Sequence, residues 1–116
     1  MPKREDPLLL MDIQEAGEKI IRFTIGYTFE TYLQDERTKD AVVRNFQVIG
    51  EASRHLSDKL MKEHIDIPWQ KLISFRNILV HQYFGIDHEL VWQIIHSYLP
   101  ETVEKIKQLS SQSYNL

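Results

Sequence analysis

The chain contains no cysteine. That excludes disulfides, thiolate-bound zinc and a cysteine nucleophile, and the simplest compartment for such a chain is the reducing cytosol. Glycine and proline are scarce, four of each in 116 residues. Sheets rich in tight turns need more of both, so helices are favoured. No apolar run approaches the roughly 18 residues of a membrane span. Leu8–Met11 offers only four apolar residues, against the roughly 7–15 of a secretion signal, so none is expected at this N-terminus. The formal net charge is only −3. A nucleic-acid binder working by bulk charge would need an excess of Lys and Arg, so any such function must rest on where the cations sit.

The rest is ordinary globular composition, 42% hydrophobic and 27% charged, and the length suits one domain with a core of its own. Apolar residues recur at helical spacing throughout. Leu9, Ile13, Ala16, Ile20 and Phe23 form one amphipathic stripe, which should stop near Gly26. Thr28 is placed to cap a short second helix, with Thr31 at the capping-box position. After a polar stretch, Thr38 is expected to cap a long third helix. Its stripe Val42, Phe46, Ile49, Ser53, Leu56 and Leu60 is the clearest in the chain. Gly50 inside it predicts a close helix crossing, and Glu51 beside it is either a solvated charge or the partner of an arginine.

Pro68 should open a fourth helix carrying Trp69, Leu72, Ile73, Leu79 and Val80, broken by Gly85. Asp87 should cap a fifth, and Pro100 should start a last one reaching about Leu109. The expected layout is a frayed segment 1–7, one all-α domain over 8–109 and a flexible polar tail over 110–116. Trp69 and Trp92 read as core or interface anchors.

Chemistry concentrates in Arg76-Asn77-Ile78-Leu79-Val80-His81-Gln82-Tyr83. At 100° per residue, Asn77 and His81 lie about 40° apart and Arg76 and Tyr83 about 20° apart, whereas Arg76 and His81 are separated by about 140°. The latter two flank a stripe rather than share one, unless the helix loosens near Tyr83. Arginine stays charged and grips phosphate oxygens, and histidine titrates near neutrality. Asn77 could orient His81 or a phosphate oxygen, and Tyr83 could bond phosphate or stack on a base. These groups suit cleavage of RNA by its own 2′-hydroxyl, which needs a base, an acid and a cation but no metal. One chain offers one such histidine, and a two-fold dimer would bring two. His55, His64, His88 and His96 read as structural or exposed, and no metal-ligand spacing, phosphate loop or nucleophile elbow is present. Arg44, Arg54 and Lys71 are candidate RNA contacts outside the motif.

At this segment the chain closely resembles the HepT-like family of HEPN domains. That family is marked by an arginine, four residues and a histidine, with asparagine after the arginine and tyrosine two after the histidine: here Arg76-Asn77 and His81-Gln82-Tyr83. Asp40–Asn45, Ile49-Gly50-Glu51-Ala52, Ile67-Pro68-Trp69, Tyr83–Asp87, Val91-Trp92 and Leu99-Pro100 extend the likeness over about residues 8 to 108. The resemblance implies a HEPN-type bundle of five to six helices, homodimeric. It further implies a metal-independent, cofactor-free ribonuclease toxin whose paired Arg76 and His81, supported by Asn77, meet at the dimer interface. The partner implied is a minimal nucleotidyltransferase antitoxin that silences the toxin by AMPylation of Tyr83, adding bulk and negative charge beside Arg76. The alternative is a non-catalytic nucleotide- or partner-binding subunit of such a nucleotidyltransferase.

Overall fold

The computed structural model describes residues 4–82 and 84–114. They form seven helices: α1 Asp6–Thr24, α2 Phe29–Gln34, α3 Glu36–Arg54, α4 Asp58–Glu63, α5 Trp69–His81, α6 His88–Ser97 and α7 Leu99–Tyr114. The all-α class expected from the spacing is what the chain adopts, with one more helix than the expected six. None of the helices is long and apolar enough to cross a membrane.

Several boundaries follow local chemistry legible in the sequence. Helix α1 ends as Thr24 donates its hydroxyl to the Ile20 carbonyl at 2.9 Å, and Gly26 takes φ +81°, a left-handed turn that a side chain would resist. Thr28 and Thr31 form the anticipated capping box: the Thr31 N–H donates to Thr28 Oγ1 at 3.1 Å and the Thr28 N–H to Thr31 Oγ1 at 2.9 Å. Asp87 caps α6, accepting from the Leu90 N–H at 3.1 Å.

Other boundaries differ from the sequence expectation. The cap of α3 is Asp35, not Thr38. Its Oδ1 accepts from the Thr38 N–H at 3.1 Å, and its Oδ2 accepts from the hydroxyls of Thr38 at 2.8 Å and Tyr27 at 2.6 Å. A carboxylate outcompetes a hydroxyl for an unpaired helix N–H, and Tyr27 fixes it in place. These bonds, that from Tyr27 foremost, hold the Asp35 carboxyl down at about 2.

The long third helix is in fact two. The ladder stops at His55, and Ser57 caps α4 by accepting from the Leu60 N–H at 3.2 Å. Ser57 also donates its N–H, at 3.0 Å, and its hydroxyl, at 2.6 Å, to the Asp6 carboxylate on α1. That tertiary anchor breaks a helix whose stripe continues in step through the buried Leu56. At the other end, α7 runs to Tyr114, past Leu109, and Ser110 is buried.

The core is one cluster. Helix α1 packs on α3 and α7, and α3 packs on α5. Phe46 and Phe75 meet edge to face at 5.1 Å where α3 crosses α5. Trp69 is buried and donates its indole N–H to the His64 carbonyl at 3.0 Å. The fully buried Tyr32 of α2 bonds His88 Nδ1 at 2.9 Å and packs its ring 5.1 Å from Trp92. This fastens the start of α6, and with it one end of the segment joining α5 to α6.

Candidate active site

Arg76 and Asn77 lie on the inner turns of α5, and His81 is its last residue. The helix stays regular to that point: the Gln82 N–H reaches the Ile78 carbonyl at 2.9 Å, and Gly85 N–H closes a turn on the Gln82 carbonyl at 2.9 Å. Loosening therefore begins after His81, and Arg76 and His81 keep their flanking relation within one chain. Tyr83 lies outside the described residues.

Arg76 is held, not waving. Its Nη1 donates to Asn77 Oδ1 at 3.0 Å, so the Asn77 carbonyl oxygen orients the arginine, the alternative the sequence left aside when it offered His81 or phosphate. Its Nη2 stands 3.1 Å from Glu51 Oε2 on α3. The ion pair lies off the line of a good hydrogen bond, and Oε2 is otherwise sealed from solvent. The guanidinium side chain remains 27% exposed, enough to present an edge to a ligand.

This contact depends on Gly50. A Cβ there would overlap Arg76 Cβ and come within 2.8 Å of the Leu72 carbonyl oxygen. Only a hydrogen atom lets α3 approach α5 so closely, which confirms the crossing expected from a mid-helix glycine and brings the neighbouring Glu51 against Arg76.

Glu51 is the residue that sequence reasoning undervalued. Its Oε1 accepts from Arg54 Nη2 at 2.9 Å and lies 3.0 Å from His55 Nε2. The Arg54 hydrogen bond, with smaller help from His55 and the positive charge of Arg76, holds the Glu51 carboxyl at about 2, against a burial effect that opposes it. Arg54 is correspondingly pushed up by Glu51. The Glu51–Arg54–His55 spacing of three and four was a readable signal. The Arg76 contact was not, because it spans two helices.

These groups open on a furrow of about 370 Å³ in which Arg44 and Gln47 of α3 face Arg76 and Val80 of α5. Of the candidate RNA contacts, Arg44 lines this furrow and Arg54 touches it through Glu51. Lys71 faces other hollows, on the side of α5 toward α4, α6 and α7. A larger hollow of about 780 Å³ sits around the α1–α2 turn, with none of the motif residues on its wall. His81 is solvent-exposed, and no bond joins it to Arg76 or Asn77 among the described residues. Among the same residues no three His, Asp or Glu side chains gather in a metal-binding group.

The arrangement offers a fixed, partly exposed cation on a furrow wall and a solvent-facing imidazole about one and a half turns further along the same helix. Comparisons with known proteins agree with the family resemblance. The family model described as ribonuclease HepT-like matches residues 13–109. A Methanocaldococcus jannaschii protein carrying a provisional RNase name is 36% identical over 109 residues, 94% of this chain and 90% of that protein. The probable ribonuclease HepT of Thermococcus cleftensis is 36% identical over 107 residues, 92% of this chain and 97% of that protein. A Caldanaerobacter subterraneus protein with a provisional RNase name is 31% identical over 107 residues, 92% of this chain and 95% of that one. No solved structure matches.

Proposed function

This chain belongs to the ribonuclease HepT-like family, and on that premise we propose that it is a metal-independent ribonuclease acting through Arg76 and His81. The observation that carries the reading is the Arg76 guanidinium, braced by Asn77 and Glu51 at the wall of an open furrow and still partly exposed. Bracing removes the rotamer freedom a long side chain would otherwise lose on gripping phosphate, so the cation is preorganised for charge that develops at phosphorus.

The reaction is attack of an RNA 2′-hydroxyl on the adjacent phosphorus. The 2′-O–P bond forms, the P–O5′ bond breaks, and a 2′,3′-cyclic phosphate and a 5′-hydroxyl result. One imidazole takes the 2′-hydroxyl proton and another protonates the leaving 5′-oxygen. A single protomer brings one motif histidine, so a two-fold dimer joining two Arg76–His81 pairs supplies both roles. Glu51 is a positioning residue: it acts on the reaction through Arg76.

The regulation that goes with this reading is transfer of AMP from ATP to the Tyr83 hydroxyl by a nucleotidyltransferase antitoxin, with release of pyrophosphate. The added phosphate would compete with RNA for the Arg76 cation. In this reading the chain is the toxin of a cytoplasmic toxin–antitoxin pair.

The test is cleavage of a defined RNA set by the purified chain in excess chelator. Activity is expected to persist, and Arg76→Ala and His81→Ala are each expected to abolish it while the helical spectrum and dimer are retained. Loss of cleavage in chelator would refute the metal-free route. An Arg76→Ala chain that unfolds would assign the arginine to the scaffold. Mass analysis after co-expression with a nucleotidyltransferase antitoxin should find one or more AMP groups on Tyr83, and an unmodified Tyr83 would remove that mode of regulation.

A further inference from the structure

One stripe of α3 floors the Arg76 furrow. Arg44, Val48, Glu51 and His55 step by four, three and four residues, and all of them line it. Leu9 and Asp12 of α1 also line it, as do Arg76 and Val80 of α5. At a rise of 1.5 Å per residue the stripe extends about 16 Å from Arg44 to His55. Arg76 meets it beside Gly50, roughly midway.

The acids of this furrow already have partners. Asp12 accepts from Arg4 Nε at 3.0 Å and from its Nη2 at 3.1 Å, and Glu51 is shared by Arg54, His55 and Arg76. No ion pair engages Arg44 among the described residues. The far end of the stripe carries His55, whose Nε2 lies 3.0 Å from Glu51 Oε1. An ionised carboxylate only accepts, so the Nε2–H donates to it and fixes the ring, and Nδ1 is the remaining proton site. No hydrogen bond engages Nδ1 among the described residues, and the side chain is 46% exposed.

We infer that this floor carries the backbone of an RNA strand, with Arg44 and His55 gripping phosphates on either side of the one held at Arg76. His55 grips only when protonated. Nδ1 then has an N–H to donate to a phosphate oxygen, whereas the neutral ring turns a lone pair toward it. The inference rests on the ribonuclease reading for the bond cut at Arg76, and it gives His55 a binding role rather than a proton-transfer one. The other charges around His55 leave this role open. Arg54 and Arg76 share Glu51 with it, Arg4 holds Asp12, and Asp6 of α1 is taken by Ser57. Asp58 of α4 borders a different hollow.

The experiment measures binding of a labelled single-stranded oligoribonucleotide to the His81→Ala chain, which keeps the RNA whole. Binding is compared at about pH 8 and about pH 5.5, the two ends of the histidine range, at matched ionic strength. It should be roughly 5- to 10-fold tighter at the lower pH, between the strengths of an exposed ion pair and a charged hydrogen bond. The log–log salt slope should be steeper there by about 0.7, the value for one phosphate contact. Adding His55→Gln, whose amide still donates to Glu51 but takes no proton, should abolish both changes. Binding at the higher pH, melting temperature and oligomeric state should stay as they were. His64, His88 and His96 lie outside the furrow and should not restore the response.

A His55→Gln chain that keeps the full pH response overturns the inference, because the titrating group is then elsewhere. Equal weakening at both pH values also overturns it, by making His55 structural, as does a His81→Ala chain that binds no strand at all. Cleavage is read separately on the chain that retains His81. If that chain cleaves RNA while binding ignores His55, the nuclease reading stands and this contact falls. If it cleaves no RNA while binding still depends on protonated His55, the nuclease reading falls and the strand site remains.

Discussion

Gly50→Ala tests the geometry on which the site depends. In an ordinary exposed helix this substitution stabilises by about 1 kcal/mol, because alanine is the better helix former. Here the added methyl would overlap Arg76 Cβ and press to 2.8 Å on the Leu72 carbonyl oxygen. Neither is the far end of a flexible chain, so relief requires moving α3 away from α5. Overpacking of this kind costs about 1–3 kcal/mol, and the contact with backbone puts Gly50 toward the upper end. The cost exceeds the propensity gain, and the net loss is about 1–2 kcal/mol. At roughly 4 °C per kcal/mol for a chain of this size, the melting temperature should fall by about 4–8 °C.

Activity should suffer more than stability. Separating the helices moves Glu51 off Arg76, and a shift of about 1 Å in a reacting group can cost on the order of 100-fold in rate. Calorimetry and single-turnover RNA cleavage below the transition give the two quantities separately. A Gly50→Ala chain that melts higher than the parent and cleaves at the parental rate would refute the close crossing and the bracing of Arg76 together.

Other expected outcomes follow from the same contacts. Glu51→Gln should lower kcat with little change in KM, and Glu51→Asp should recover part of the loss. Because Glu51 is 41% exposed, its pairs add little to stability and the melting temperature should hardly move; a large fall in melting temperature with unchanged kcat would make Glu51 merely structural. The Asp35 carboxyl is held at about 2 in the folded chain, below its unfolded value of roughly 4. Its contribution is present above about pH 4 and lost as pH falls toward 2, so urea midpoints should drop through that window and Asp35→Asn should flatten the drop. A parental midpoint constant from pH 5 to 2 would contradict this. Arg44→Ala should make single-strand binding less salt-dependent, by about 0.7 in the log–log slope for one phosphate contact. Lys71→Ala, away from the furrow, should leave the slope unchanged. Equal effects of the two would remove Arg44 from the strand path.

The sequence by itself determined the helical class, the turn at Gly26, the caps at Thr28 and Asp87 and the gathering of a cation, an amide and an imidazole within Arg76–His81. Each of these depends on residues within a few positions of one another, and helical periodicity and capping are local properties of the chain. Glycine at position 50 even announced that another helix must come close. It could not say which helix, or at what height. The break between α3 and α4 illustrates the same boundary: the apolar stripe runs on through Leu56 and Leu60, but Asp6, brought over from α1, captures Ser57 and ends the ladder. Only the crossing of α3 and α5 placed Glu51 against Arg76, and only that packing set Arg44 on the furrow that Arg76 lines. Those pairings are fixed by the register at which helices pack, which depends on side chains from distant parts of the chain interlocking at once, and no single stretch of sequence carries that information.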